Sequence, residues 1–504
     1  MQNVREKLGK GAIWLGASRV LINAVSILGS ILLARLLVPE DFGLVAIANT
    51  LFVLLISATE LPLGLALIQH KDPQPGHYHS AWTLGLARGG LIALICVAVA
   101  WPVAGIYGDA RLIHVMLALG LVALLNGATN PRMVVFTRQL VFWQEFAVSV
   151  ASKLASFSVS LGLAWAWQSY WALIGGILAS QLAGLILSYV LVPFRPRLCV
   201  SHVRELWSFS AWVSLSRLMN TLNWKFDHLL VGGWLGQRAL GLYSVADNLA
   251  ATPTNEMIRP ITLTLFPGFV QVAGDPARLR AAYRSAQSLV CAVAMPTGIG
   301  FALIAEPFVR IGMGEKWLPI VPIIQVLSTS FACYSLASTT AEPLAMAMSA
   351  TKQLFQRDLV IFLTRIPLIV IGMATLGLAG VLVARLTSGC ISMALNLHLV
   401  RSLIGTPIRE QLRANIRTVA SAALMAIAVL QYNRMVAALS GHGLLIELLA
   451  PIACGAAVYL GIHAGLWMLA GRPDGPETEV ARLAGAVLRR LRPERLTIAA
   501  RPAD

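Results

Sequence analysis

Long apolar runs, separated by short polar breaks, follow one another along this chain from about Gly11 to Leu469. A helix needs about 20 predominantly apolar residues to cross the hydrocarbon core of a bilayer. Runs of that kind lie near residues 11–37, 42–68, 80–106, 112–136, 142–166, 170–193, 208–235, 240–270, 286–309, 319–347, 358–376, 378–400, 416–436 and 443–470. The pattern predicts an all-α polytopic membrane protein with about 14 transmembrane helices. Almost no loop separates the runs at 358–376 and 378–400, so that pair is the weakest point of the count.

Within some runs the polar positions keep a helical period. At about 100° per residue, Asn220, Thr221, Trp224 and His228 fall within about 60° of Arg217. Leu215, Leu222, Phe226 and Leu229 fall on the far side, and Lys225 and Asp227 flank the polar face. In the first run, Ala12, Gly16, Arg19, Asn23, Ser26 and Ser30 share a face opposite Leu28 and Leu32. Both spans are predicted to turn one side to something wet.

Composition agrees with a bilayer as solvent. Hydrophobic residues make up 57% of the chain, charged residues only 12%, and the mean hydropathy is +0.73. A soluble surface needs about twice that share of charge. The net charge of +16 sits in short clusters between apolar runs rather than in one patch, which speaks against nucleic-acid binding. The six cysteines are scattered with no CxxC spacing, so they suggest neither a metal site nor a disulfide framework. No cofactor is implied. The basic N-terminus (Arg5, Lys7, Lys10) precedes an apolar run too long for a cleaved secretory signal, so that run is read as a retained span.

With the N-terminus inside, fourteen spans place 25 Lys and Arg in cytoplasmic segments, the tail included, and only Arg111, Arg238, Arg310, Lys316 and Arg434 outside. That is the positive-inside bias. Nine bases remain within or beside the spans: Arg19, Arg35, Arg88, Lys153, Arg217, Lys225, Arg259, Arg365 and Arg385, with the acids Glu60, Glu145, Asp227, Asp247, Glu256 and Glu342. A charge facing lipid at the bilayer centre costs about 2.5–3.5 kcal/mol or more, so most of these should face protein or water. They can be structural pairs, such as Asp227 with Lys225 or Glu256 with Arg259. The excess of bases also fits a cavity for an anionic ligand, and guanidinium groups suit phosphate. The candidate substrate-binding residues are therefore Arg19, Asn23, Arg88, Lys153, Arg217, Asn220, Thr221, Trp224, Lys225, Arg259 and Arg365. Glu60, Asp227, His228 and Asp247 are candidates for ion coupling.

The chain also repeats itself. Shifted by 198 residues, "LLARLLVPEDFGLVAIAN" (32–49) lies over "LVGGWLGQRALGLYSVAD" (230–247). Gly43 then meets Gly241, Leu44 meets Leu242, Trp14 meets Trp212, and Arg19 meets Arg217. A six-span unit duplicated in the same orientation is a transporter pattern, with the site between the copies. The expected organisation is a six-helix lobe at 1–194, a cytoplasmic linker at 195–207, a second lobe at 208–405, two additional helices at 406–470 and a basic cytoplasmic tail at 471–504.

Five stretches in order, "LLARLLVPEDFGLVAIA", "PRMVVFTRQLVF", "HLLVGGWLGQRALGLYSVADNL", "LFPGFVQVAGDPARLRAAYRSA" and "MGEKWLPIVPIIQVLS", resemble the Wzx-type polysaccharide flippases. These belong to the multidrug/oligosaccharidyl-lipid/polysaccharide exporter superfamily. The resemblance covers roughly residues 10–420. It implies two pseudo-symmetric six-helix lobes forming a V around a central cationic cavity, plus two extra C-terminal helices. It also implies transfer of an undecaprenyl-diphosphate-linked oligosaccharide to the periplasmic leaflet of a bacterial inner membrane, by a monomer among membrane lipids and beside a polymerase or export complex. Two relatives of that superfamily, a lipid II flippase and a cation-coupled multidrug exporter, are the alternatives. No HExxH, GxSxG, DxD or P-loop motif points to an enzyme.

Overall fold

The computed structural model describes residues 2–478 except 62, 71–72, 140, 142, 202–210, 439–443, 473–474 and 476; within helices, the side chains of residues 2–15, 17, 18, 20, 65, 69, 211–217, 436–438 and 444–445 are also outside the description. The expected basic positions Arg5, Lys7, Lys10, Lys71, Arg204 and the tail from Arg482 onward therefore lie outside the described residues, as does the side chain of Arg217.

The described chain is helical throughout, without strands. Ten of its helices are long and apolar enough to cross a membrane. An eleventh crossing results if the pair Arg111–Gly127 and Pro131–Arg138, bent by 54°, counts as one span. The fold is thus that of a polytopic membrane protein, with fewer clear spans than the fourteen expected. The first run contributes only the shorter apolar helix Leu21–Leu36 among described residues. The expected seventh and eighth spans are two helices that meet at a kink at Gly236 within Ala211–Val272, and they carry Lys225, Asp227, Asp247, Glu256 and Arg259. The pair at 358–400, by contrast, is two separate helices, Thr351–Leu376 and Leu378–Ile404. Gly377 turns the chain between them at φ 60°, a conformation that Gly adopts without penalty. Gly372 and Gly380 lie so close that neither has room for a Cβ.

The chain divides into two compact units, interleaved in sequence: Met1–Leu249, Ala305–Ile324 and Phe355–Ser388 form one, and Ala250–Ile304, Gln325–Leu354 and Gly389–Asp504 the other.

In the first unit, α1 spans Gln2–Leu36 and α2 Pro39–Ala58. Pro39 stands in the first turn of α2, where its missing N–H costs nothing. Glu40 and Asp41 follow, their charge matched to the positive end of the helix dipole. The C-terminus of α1 is closed by the segment Glu315–Ile320. Lys316 Nζ donates to the carbonyls of Arg35 and Leu37 at 2.8 Å each, and the buried Trp317 indole donates to Ala34 O at 2.7 Å. A cation at a helix C-terminus satisfies orphan carbonyls and meets the negative end of the dipole.

A short helix α3 (Leu63–Gln69) follows α2 after a break. Then α4 (Pro75–Tyr107) and α5 (Arg111–Gly127) cross closely at Gly85, Gly89 and Gly127. A five-residue helix α6 (Val134–Arg138) leads to α7 (Trp143–Trp167) and α8 (Trp171–Leu191), which pack together, α7 also against α1. The long α9, Ala211–Val272, is broken at Gly236, whose φ of 85° and ψ of 173° are not helical. Just past that break, Gly241 lies against the Pro39 carbonyl, and Gly43 lies against the backbone of Gln237.

In the second unit, α10 (Pro276–Leu303) starts from Asp275, whose carboxylate accepts the backbone N–H of Ala277 and Arg278 at 2.9 and 3.2 Å. The end of α9, α10, α13 (Ser338–Ala347) and the end of α15 (Leu378–Ile404) enclose a core of Leu265, Phe269, Tyr283, Leu344, Val400 and Ile404. The helices α17 (Ile416–Ala438) and α18 (Leu444–Leu469) form a pair that packs on α10 through Met295, Met425, Val429 and Tyr459. The remaining described helices are α11 (Ala305–Gly312), α12 (Val321–Tyr334), α14 (Thr351–Leu376) and α16 (Ile408–Arg413).

Candidate functional site

The ionisable groups of the seventh and eighth runs meet inside the first unit. On α9 before the break, Trp224, Asp227 and His228 are spaced i, i+3, i+4 and so share one face. After the break, Tyr243 and Asp247 are again four apart. Arg365 comes from α14 and Arg385 from α15, the two arms of the Gly377 hairpin.

Arg385 is the centre of the group. Its Nη1 lies 3.1 Å from Asp227 Oδ2 and its Nη2 3.1 Å from Asp247 Oδ1. One guanidinium thus bridges two carboxylates from either side of the break. Tyr243 donates its hydroxyl to Asp227 Oδ2 at 2.7 Å. His228 Nδ1 lies 3.0 Å from Asp227 Oδ1, and its Nε2 faces Asp247 Oδ2 at 3.8 Å without a hydrogen bond. Trp224 is flanked by both guanidinium carbons, Arg365 at 5.9 Å and Arg385 at 5.8 Å from its ring centre. Arg365 also donates to the backbone carbonyl of Asn223, while the Asn223 amide donates to Asp358 O at 3.0 Å. Asp227, His228, Asp247 and Arg385 expose at most 6% of their surfaces.

At that depth an unpaired charge is several kcal/mol unfavourable, and here Arg385, Asp227 and Asp247 are mutually paired, whereas Arg365 bonds only a backbone carbonyl and its Nε has no partner among the described residues. Two carboxylates share the one Arg385 guanidinium, with Arg365 beyond the Trp224 ring. The arrangement ties the two sides of the Gly236 break together through one guanidinium.

Five of the expected site residues come together here: Trp224, Asp227, His228, Asp247 and Arg365. Tyr243 and Arg385 were not among them. Arg385 was visible as an embedded base, and two embedded acids called for such a partner. The expected pairing of Asp227 with Lys225 is replaced by Asp227 with Arg385, because residues two apart on a helix do not face each other. Glu256 and Arg259 do pair, at 3.5 Å, but Arg259 is half exposed and lies in the second unit.

Arg88 forms a separate grouping. It donates to Ile56 O at 2.8 Å and to Thr59 Oγ1 at 3.3 Å, with Glu60 in electrostatic reach. Thr221 pairs its hydroxyl with Ser57 at 2.8 Å, and Asn220 is exposed. Arg19, Asn23, Lys153 and Lys225 are half-buried on α1, α7 and α9.

Comparison with known proteins gives these features a context. The model of the family described as "Polysaccharide biosynthesis protein" matches residues 32–322. The lipopolysaccharide biosynthesis protein WzxC of Escherichia coli (strain K12) is 26% identical over 420 residues, 81% of this chain and 84% of that one. The succinoglycan biosynthesis transport protein ExoT of Rhizobium meliloti (strain 1021) is 25% identical over 303 residues, 59% of this chain and 61% of that one. Among solved structures, the lipid II flippase MurJ in its inward closed conformation superposes with a TM-score of 0.72 at 15% identity, over 91% of this chain and 98% of that chain. The fold is therefore that of the exporters expected from the sequence motifs. Since the family match runs through α2, the broken α9 and the segment that closes α1, more than half of the chain in all, the chain belongs to the polysaccharide biosynthesis protein family.

Proposed function

We propose that this chain is a flippase that moves an undecaprenyl-diphosphate-linked oligosaccharide from the cytoplasmic to the periplasmic leaflet of a bacterial inner membrane, for exopolysaccharide, capsule or O-antigen synthesis. The observation that carries the reading is family membership over more than half of the chain, on the all-helical fold of a lipid flippase. The names of the relatives WzxC and ExoT, one a lipopolysaccharide biosynthesis protein and one a transport protein, point the same way.

The substrate is an anionic headgroup on a lipid chain. Arg19, Arg217 and Lys225, from the two spans with a polar face, together with the half-buried Lys153 of α7, would neutralise the diphosphate. Arg365 faces charges of its own protein, so its part is to position Trp224 and α9 rather than to meet phosphate. A proton on His228 Nε2 would compete with Arg385 for Asp247 and loosen the bridge across the Gly236 break. That makes His228, with Asp227 and Asp247, the place where ion movement couples to conformation. The lobes at 1–194 and 208–405 would provide alternating access, with 195–207 as a cytoplasmic linker, 406–470 as two accessory helices and 471–504 as a tail on the inner leaflet.

Deleting the gene should cause one complete lipid-linked repeat unit to accumulate, with growth intact and surface polymer lost; polyprenyl-diphosphate glycans are extracted and weighed by mass spectrometry. The complemented Arg19→Ala/Arg217→Ala double variant should reach the membrane but leave the accumulation in place. Loss of viability instead would favour a lipid II substrate, and sensitivity to cationic dyes without glycan build-up would favour a drug exporter.

A further inference from the structure

A second polar site lies in the first unit, apart from the Arg385 cluster. The span that contains α2 breaks off after Ala58 and resumes as α3 at Leu63. Non-helical backbone at membrane depth is tolerated only where it is buried in protein or lines a wet cavity. Here the break is flanked by Ile56 and Leu63, which both line a cavity. This cavity of about 200 Å³ runs along the break and is walled by α2, α3, α4 and α5. Its polar lining is Arg88, Asn126 and Thr129, and its apolar lining includes Ile56, Leu67 and Ile92.

The chemistry of the walls narrows what can enter. Arg88 is already bonded to Ile56 O, one of the carbonyls left open where α2 ends, and to Thr59 Oγ1. Glu60 and the negative end of the α2 dipole offset its charge. A diphosphate, with its multiple negative charges, gains little from a guanidinium balanced in this way. A cation would be repelled by the guanidinium. A neutral group with several hydroxyls suits it better, because Arg88 and the Asn126 amide donate while Asn126 and Thr129 also accept. The aliphatic wall would take the C–H face of a ring. The volume exceeds the roughly 30 Å³ of one water and falls below the roughly 300–1,000 Å³ of drug-sized sites, which suits one ring rather than a whole repeat unit.

We infer that the cavity at the α2–α3 break is a subsite for one uncharged sugar ring of the lipid-linked oligosaccharide, separate from the groups that meet its diphosphate. This inference rests on the flippase reading. The site gives the flippase a means of checking that glycan is attached before the carrier lipid is moved.

Gly64 gives access to the test. It lines the cavity, and a Cβ added there meets nothing within 4 Å. In Gly64→Cys, labelling by a small maleimide is followed in native membranes on the peptide 36–71, which contains no native cysteine. Two probes are added: the undecaprenyl-diphosphate oligosaccharide extracted from the deletion strain, and undecaprenyl diphosphate without sugar. The glycan-bearing carrier, at about ten times its dissociation constant, should slow labelling about tenfold, and the bare carrier should not. Equal protection by both would make the cavity a headgroup site and overturn the inference, as would protection by neither. As a second readout, Gly64→Leu enlarges a residue of the cavity wall at which an added Cβ meets nothing within 4 Å, so lipid-linked glycan should accumulate in that strain while the protein level stays normal. Wild-type export by Gly64→Leu would also overturn the subsite. Failure of the flippase reading shows separately, as absence of glycan build-up in the deletion strain itself.

Discussion

Arg385 holds two carboxylates that come from opposite sides of a helix break, so its removal leaves two buried charges without their main partner. Breaking a buried pair by deleting one member costs about 3–5 kcal/mol. Arg385→Ala should therefore lose most of the folded protein in mild detergent, read as a large fall in the thermal midpoint and in monodisperse yield. Arg385→Lys should recover only part of it, since an ammonium cannot reach both carboxylates with the spacing of a guanidinium fork. Tyr243→Phe removes one hydrogen bond to a carboxylate and should cost about 1.5–3 kcal/mol in the same assay. Outside the membrane, the Arg111 guanidinium holds the Asp109 carboxyl down to about 2, with Gln237 adding a hydrogen bond. A depressed carboxylate stabilises above its unfolded value near 3.9 and loses that contribution as pH falls toward 2. Arg111 is half exposed, so the effect stays under about 1 kcal/mol. Asp109→Asn should accordingly leave stability at pH 7 almost unchanged and flatten its decline only below about pH 4. Of these residues, Asp227, His228 and Asp247 were legible because an ionisable group in an apolar run stands out. The role of Arg385 was not, because it lies 158 residues from Asp227 and pairing over that distance leaves no local pattern.

At the scale of elements, the motifs that stood out in sequence turn out to touch one another. "LLARLLVPEDFG" ends α1 and begins α2; Lys316 and Trp317 of "MGEKWLP" close its first part, and "WLGQRALG" of α9 crosses its second. The crossing is reciprocal in the internal repeat. Pro39 and Gln237 are related by the 198-residue shift, as are Gly43 and Gly241 and also Glu40 and Arg238. Gly43 packs on Gln237, Gly241 packs on Pro39, and Glu40 meets Arg238 at 3.4 Å. A self-complementary contact of this kind is what a two-fold relation between copies produces. The glycines are required by backbone proximity, so Gly43→Leu or Gly241→Leu should force the helices apart at a cost of about 1–3 kcal/mol or more. Gly64→Ala, in open space, should cost little; thermal midpoints of the three variants, measured side by side, check the contrast. The duplication was readable because matching residues recur in register. The boundary between the runs at 208–235 and 240–270 marked the break at Gly236, where Gln237 and Arg238 interrupt the apolar pattern; the interruption after Ala58 was not legible, since the run at 42–68 was read straight through it and a break in backbone geometry need not break hydropathy.

For the whole molecule, the ends of the helices sort into sides, unit by unit. In the first unit, the segments around 38–40, 109–111, 237–238 and 314–317 contact one another. The segments around 79–83, 132, 193 and 197–199 meet likewise in a second set. In the second unit, Arg280 reaches Ile404 O and Arg284 reaches Glu410. Each of these groupings joins only loops that the fourteen-span reading places on a common face. The contacts do not say which face is cytoplasmic, and there the Lys and Arg count decides, with 25 against five. That bias is a property of sequence alone, so a measurement independent of the fold can test it. A periplasm-active phosphatase joined after Gln168 or after Gly314 should be active, and one joined after Gly274 or after Thr406 should be inactive. If the pattern is inverted, the basic segments face the periplasm, and a substrate assembled in the cytoplasm would meet the wrong end of α2 and of its broken partner α3. The proposed direction of transport would then fail even with every helix contact intact. If the pattern holds, the α2–α3 cavity, lined by Leu63, Leu67, Thr129 and Pro131, stands toward the side where the glycan is made.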